Sequence, residues 1–171
     1  MKKNIVFVFF LLLCYTSFSQ RIVKKEVDKF TGVETIETSS KWLWNSMSAF
    51  NGGLDFCIRK VDNTYCMPAR ILYYNAFKFT EEDSSIVLLL SNKETVTLQS
   101  AYTGIASPMS GSNSNIWEFS TVFRMTEDDV AKLKQYDVTD VRIDFFGGRC
   151  DREIKESKRD LIKRMLNLFE E

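Results

Sequence analysis

Along most of this chain apolar side chains recur at every second position, in runs too short for anything but strands. Leu54, Phe56 and Ile58 alternate with Asp55, Cys57 and Arg59. Tyr65, Met67, Ala69, Ile71 and Tyr73 share a face of the next run. Trp117, Phe119 and Phe123 share a face between Ile116 and Met125, and Val141, Ile143 and Phe145 do so between Val138 and Phe146. A period of two with one polar face describes sheets covered on one side, the usual condition of antiparallel strands. The punctuation agrees. Asp62-Asn63 fits a two-residue hairpin turn, Asp28-Lys29-Phe30-Thr31-Gly32 a longer one, and Ser91-Asn92-Lys93 and Gly147-Gly148 end two further strands. Lys41 to Phe50 also reads as extended, with Asn51-Gly52-Gly53 as its turn. The uninterrupted run Ile86-Val87-Leu88-Leu89-Leu90 reads as a strand covered on both faces. Pro68, lacking an N–H, predicts an edge position or a bulge.

Two segments leave the period of two. Thr126 followed by Glu127, Asp128 and Asp129 is a helix start, a capping hydroxyl with acidic residues at the positive end of the helix dipole, continuing to about Tyr136. Asp151 reads as the cap of a longer helix to about Phe169. Its stripe is Ile154, Leu161, Ile162, Met165, Leu166 and Phe169, with Lys155, Lys158, Arg159 and Lys163 opposite. The sum is an α+β domain: a curved, mostly antiparallel sheet of about 7–9 strands packed on a C-terminal amphipathic helix, with one short extra helix.

The first 19 residues read differently. Lys2 and Lys3 precede nine residues, Ile5 to Leu13, that are all aliphatic or Phe, and Ser17-Phe18-Ser19 offers small residues before Gln20. That is a signal peptide, too short to span a bilayer as a helix. Leu13 stands before Cys14 where lipid-modified proteins carry a small residue, which argues against a lipoprotein. The expectation is a signal peptide over 1–19 and a single domain over 20–171. The protein is then exported, to the periplasm or beyond, with no transmembrane segment after cleavage.

Composition excludes several functions. The chain has 23 basic and 23 acidic residues; loss of Lys2 and Lys3 leaves 21 against 23, net −2. Nucleic acid, which demands a positive field, is therefore not an expected partner. There is no histidine. This removes the commonest general base and zinc ligand together and disfavours a metal site; an enzyme would need paired carboxylates, a Ser-Lys arrangement or a cofactor, and no cofactor is expected.

The chemistry-bearing candidates are few. Glu118 and Asp144 lie on the polar faces of strands that could be neighbours, and would suit a glycosidase with carboxyl groups roughly 5–10 Å apart. Arg142 shares the face of Asp144, so an exposed ion-pair ladder explains them equally well. Trp42 and Trp44, on one face by alternation, could stack on a sugar ring or fill a core. Tyr102 and Trp117 flank the polar loop 103–115. Gly147-Gly148-Arg149, at a strand end before a helix, could hold an anion, and Cys150 could be a nucleophile at that helix start. If Asp62-Asn63 is the turn, facing residue numbers sum to 125. Cys66 then faces Arg59, Cys57 faces Pro68, and Cys57 and Cys66 are diagonal neighbours and the first candidates for a disulfide. Cys150 pairing with either, or three free thiols, remain open.

A signal peptide ending in Ser before Gln, the Asp28-to-Gly32 hairpin, the Thr126-Glu-Asp-Asp helix start and the Val141-Arg-Ile-Asp strand before Gly-Gly together resemble small exported proteins of unknown function from Bacteroidetes. The resemblance implies an envelope location and supplies no functional residues. These features together favour a non-enzymatic exported domain binding a protein or glycan partner in the envelope. The alternatives are a carboxylate-dependent hydrolase or transferase acting on envelope polymers, and a structural component of an envelope assembly.

Overall fold

The computed structural model describes residues 20–45, 52–74, 77–79, 84–109 and 116–170. The segment expected to be a signal peptide, 1–19, and residues 46–51, 75–76, 80–83, 110–115 and 171 lie outside them.

The fold is α+β, and every strand pairing among the described residues is antiparallel. An eight-stranded sheet holds β1 (Ile22–Val27), β2 (Glu34–Thr38), β3 (Lys41–Asn45), β4 (Gly53–Phe56), β5 (Arg59–Val61), β6 (Thr64–Tyr74), β11 (Ser107–Pro108) and β12 (Ile116–Met125). A four-stranded sheet is ordered β14-β13-β8-β9, from β8 (Ser85–Leu90), β9 (Thr95–Gln99), β13 (Val138–Phe145) and β14 (Gly148–Glu153). A small pair joins β7 (Lys78–Phe79) to β10 (Gly104–Ile105). Among the described residues two α-helices, α1 (Glu127–Gln135) and α2 (Leu161–Asn167), complete it.

Among the described residues the strands number fourteen, in three sheets, and two of the long runs in the large sheet are each broken in the middle. β4 and β5 lie end to end along β6, separated at Cys57-Ile58, and β2 and β3 follow them, separated at Ser39-Ser40. The register holds through the break: Asp55 opposes Arg70 and Arg59 opposes Cys66, both pairs summing to 125. Asp62, at φ +50°, makes the turn. Thr38 holds the break together. Its N–H donates to the carbonyl of Ile58 at 3.0 Å, and the Ile58 N–H donates back to the Thr38 hydroxyl at 3.0 Å. In a regular ladder the second bond would go to the Thr38 carbonyl; the hydroxyl substitutes for it and lets the backbone turn away at Ser39.

Pro68 is not on an edge. β6 is a central strand, paired with β12 on one side and with β4 and β5 on the other. The Pro68 carbonyl accepts from the Cys57 N–H at 3.0 Å. The carbonyl and nitrogen of one strand residue point the same way, so the missing N–H faces the break at Cys57-Ile58, where a ladder bond is lost at least cost.

Leu54, Phe56, Met67, Ile71 and Phe123 from the large sheet meet Ile86, Leu88, Leu98, Val141 and Ile143 from the four-stranded sheet in one apolar core. Each such side chain contributes about 1.5–3 kcal/mol by leaving water. The helices close part of this core with Val130, Leu133, Leu161, Ile162, Met165 and Leu166. α1 begins with a capping box, Thr126 accepting from the Asp129 N–H and Asp129 accepting from the Thr126 N–H.

The long C-terminal helix expected from Asp151 is not formed as such. Gly147, at φ +83°, turns β13 back into β14, and Asp151 pairs with Arg142 through two hydrogen bonds of 2.7 and 3.0 Å. Helix appears only from Leu161, after a 3-10 turn at Glu156–Lys158. The reason lies in residues 151–160, whose single apolar member is Ile154. One apolar residue in ten gives a helix no face to bury, whereas Leu161, Ile162, Met165 and Leu166 do.

Candidate functional site

The odd-numbered side chains of β6 and β12 enter the core, so the even-numbered ones form the opposite, outer face of the large sheet. Register places that face in rows. Glu37, Arg59, Cys66 and Arg124 make one row; Cys57, Pro68 and Val122 the next; Trp42, Asp55, Arg70 and Ser120 a third. Over these three rows lies an open groove of about 400 Å³. Its lining includes Glu37, Asp55, Arg59, Arg70, Tyr102 and Ser120, and neither helix contributes to it.

The groove is built from two ion pairs. Arg59 Nε stands 2.6 Å from Glu37 Oε2, and Arg70 Nη2 stands 3.5 Å from Asp55 Oδ2. Trp42 flanks the second pair: the Arg70 guanidinium lies 5.3 Å from its ring centroid. Gly53 makes room for the ring, since a Cβ there would stand 2.7 Å from Trp42 Cζ3. Tyr102 sits at the opposite rim. The Ser100 hydroxyl, 2.6 Å from the Thr121 hydroxyl, donates to the Tyr102 carbonyl at 2.9 Å and accepts from its N–H at 3.3 Å. The backbone is thereby fixed while the residue remains 56% exposed.

Burial raises the carboxyl of Asp55 above its ordinary value, and the Arg70 charge offsets this only in part. The thiol of Cys57 is pushed up to about 12, first by burial and then by the negative Glu37 beside it. Burial also raises Cys66 and Cys150. Such thiols are protonated at neutral pH and make poor nucleophiles. The groove therefore offers oriented donors and acceptors, and its thiols are not activated.

The sequence candidates are distributed unevenly. Tyr102 lines the groove, and Trp42 flanks it through its contact with Arg70. Trp44 does not: the register of β3 against β4 shifts between Trp42 and Trp44, so Trp42 opposes Asp55 on the outer face and Trp44 opposes Leu54 and packs on the core. The two tryptophans therefore do not share a face as alternation predicts. Trp117 also packs on the core. Glu118 and Asp144 belong to different sheets, Glu118 opposite Leu72 on β12 and Asp144 opposite Arg149 on β13; their strands are not neighbours. Arg149 is exposed on β14, and its glycines lead into a strand, so no helix N-terminus stands there to bind an anion or activate Cys150. Cys57, Cys66 and Cys150 are free thiols.

Four groove residues, Glu37, Asp55, Arg59 and Arg70, are absent from the sequence candidates. Asp55 opposite Arg70 was readable from the 125 register. Glu37 opposite Arg59 required knowing that β2 pairs with β5.

Among the described residues no helix is long and apolar enough to cross a membrane. Comparison of the chain with protein-family models, with curated proteins and with solved structures found no match.

Proposed function

We propose that this is an exported, non-enzymatic domain that binds a hydroxyl-rich envelope glycan in the outer groove of its large sheet. The observation that carries the reading is the pairing inside the groove: two carboxylates and two guanidinium groups, balanced in charge, held beside an exposed tyrosine ring. Balanced pairs suit a neutral ligand whose hydroxyls both donate and accept, and the ring supplies an apolar face for a pyranose. The volume falls within the roughly 300–1,000 Å³ of small-ligand sites. Asp55 adds support. A carboxylate kept where burial disfavours its charge costs stability, and such groups cluster at binding sites. Both groove carboxylates are engaged by guanidinium groups, and Glu118 with Asp144 supplies no dyad, which disfavours the hydrolase alternative.

The test is titration of the purified protein with soluble envelope polysaccharides and their oligosaccharide fragments. Binding by the native protein, weakened at least tenfold in Arg70→Ala and Tyr102→Ala, supports the reading. Binding that both variants retain in full refutes it.

A structural role in an envelope assembly is the second reading. It is favoured by the edge strand β1 and its turn, where Val23, Val27 and Phe30 are exposed, Phe30 by 86%. Cross-linking from Phe30 replaced by a photoreactive residue tests it; absence of any adduct in the native envelope contradicts it.

A further inference from the structure

A second polar site lies around the free edge of β3. Among the described residues β3 pairs with β4 alone, and the Lys158 ammonium donates to the Trp42 carbonyl on its other side. Lys158 thus caps an edge strand that would otherwise present a bare acceptor. An ammonium carries three donors, and this contact uses one.

A cavity of about 290 Å³ opens beside it, lined by Leu43, Trp44, Asn45, Arg152, Glu153, Lys155 and Lys158. Three of its lining side chains are cationic and one is anionic, and the Glu153 carboxylate is directed to Arg159 at 3.1 Å. Lys41 is not part of the lining but is near enough for its charge to act on Lys158. Burial lowers the Lys158 ammonium, and the charges of Lys155 and Lys41 lower it further. Among the described residues, neither Lys41 nor Lys155 has a carboxylate within ion-pair distance. The adjoining segment 46–51, Ser-Met-Ser-Ala-Phe-Asn, contains no acidic residue that could supply one. In a chain with equal numbers of acids and bases, this is a local concentration of positive charge around a concavity.

We propose that the cavity between the β3 edge and the segment 152–158 is a binding site for a phosphate-type oxyanion, held by Lys41, Lys155, Lys158 and Arg152. Lysines act there as point charges and Arg152 as a planar donor. The anion relieves the repulsion among the lysines and occupies donors that Lys158 does not spend on Trp42. The site is separate from the glycan groove: the two share no lining residue.

The experiment is thermal unfolding of the purified protein in inorganic phosphate against sodium chloride of equal ionic strength, with isothermal titration for affinity. At ten times Kd, phosphate is expected to raise the melting temperature by about 3 to 6 °C beyond the chloride control. The double variant Lys41→Ala/Lys155→Ala is expected to lose that rise, while Lys24→Ala/Lys25→Ala on the distant strand β1 keeps it. Lys158 is left intact because it caps β3. A rise no larger than that in chloride, or an equal rise in the Lys41→Ala/Lys155→Ala protein, overturns the proposal. Vesicles separate the sources of the phosphate. Co-sedimentation with phosphatidylglycerol but not phosphatidylcholine vesicles, lost in the double variant, supports a lipid headgroup. Phosphate binding without vesicle binding supports a soluble phosphate ester.

Discussion

Replacing Thr38 with valine isolates the device that breaks two strands and opens the groove. Thr38 is fully buried, and its hydroxyl is the acceptor for the equally buried N–H of Ile58. Valine keeps the shape and removes the acceptor. An unsatisfied buried N–H costs about 1–3 kcal/mol, so a loss of about 2 kcal/mol is expected. For a chain of this size that lowers the melting temperature by about 4–8 °C. Thr38→Ser removes one methyl but keeps the acceptor, and should cost only about 1 kcal/mol. Urea unfolding of the three proteins, read at constant m-value, measures both differences. The comparison depends on order, not on absolute size. If Thr38→Val is as stable as Thr38→Ser or more so, the hydroxyl is not substituting for a ladder carbonyl and the account of the break is wrong.

Gly52, at φ +59°, has no space for a side chain: a Cβ would stand 2.0 Å from the Leu72 carbonyl oxygen. Gly52→Ala should therefore lose at least about 3 kcal/mol, and a melting curve like that of the native protein would contradict the packing at this turn. With its thiol held near 12 against an ordinary 9.0, Cys57 should be alkylated at pH 8 about 1,000-fold more slowly in the folded than in the urea-unfolded protein. Peptide mapping of iodoacetamide adducts reads this, and equal rates would refute it. Asp55 carries a raised folded-state value, so its contribution to stability is present below the ordinary 3.8 and is lost as pH rises through the folded value. Asp55→Asn removes that loss, and at pH 7 it should melt no lower than the native protein while binding glycan less well. A clear drop in melting temperature would show that the Arg70 pair outweighs the cost of burial.

Much of this fold was legible because short turns fix register. Asp62-Asn63 leaves no slack, so every pairing of β4 and β5 with β6 followed from one turn, as did the diagonal placement of Cys57 and Cys66. The cap of α1 was legible for a similar reason, since Thr126 and Asp129 satisfy each other locally. Two kinds of feature were not. The register shift at Leu43 moves Trp44 to the face opposite Trp42, and alternation alone carries no sign of it. The charged stretch 151–160 shows the opposite failure: helix-favouring lysines and glutamates read as a solvated helix face, but tertiary pairing with β13 decides its first residues. Half of the site suffers from distance. Glu37 and Arg59 are joined by a long excursion through β3 and β4, and no local rule predicts that β2 returns to β5. The Asp55–Arg70 half was implied by the same turn that placed the cysteines.

The most direct test of the groove as the binding face is amide chemical-shift mapping during titration with an envelope oligosaccharide that binds. The shifts should concentrate at Asp55, Arg59, Arg70, Tyr102 and Ser120, and spare Asp140, Arg142 and Asp151 on the outer face of the four-stranded sheet. Shifts confined to that second face, or spread evenly over both, would contradict the assignment of the groove as the site.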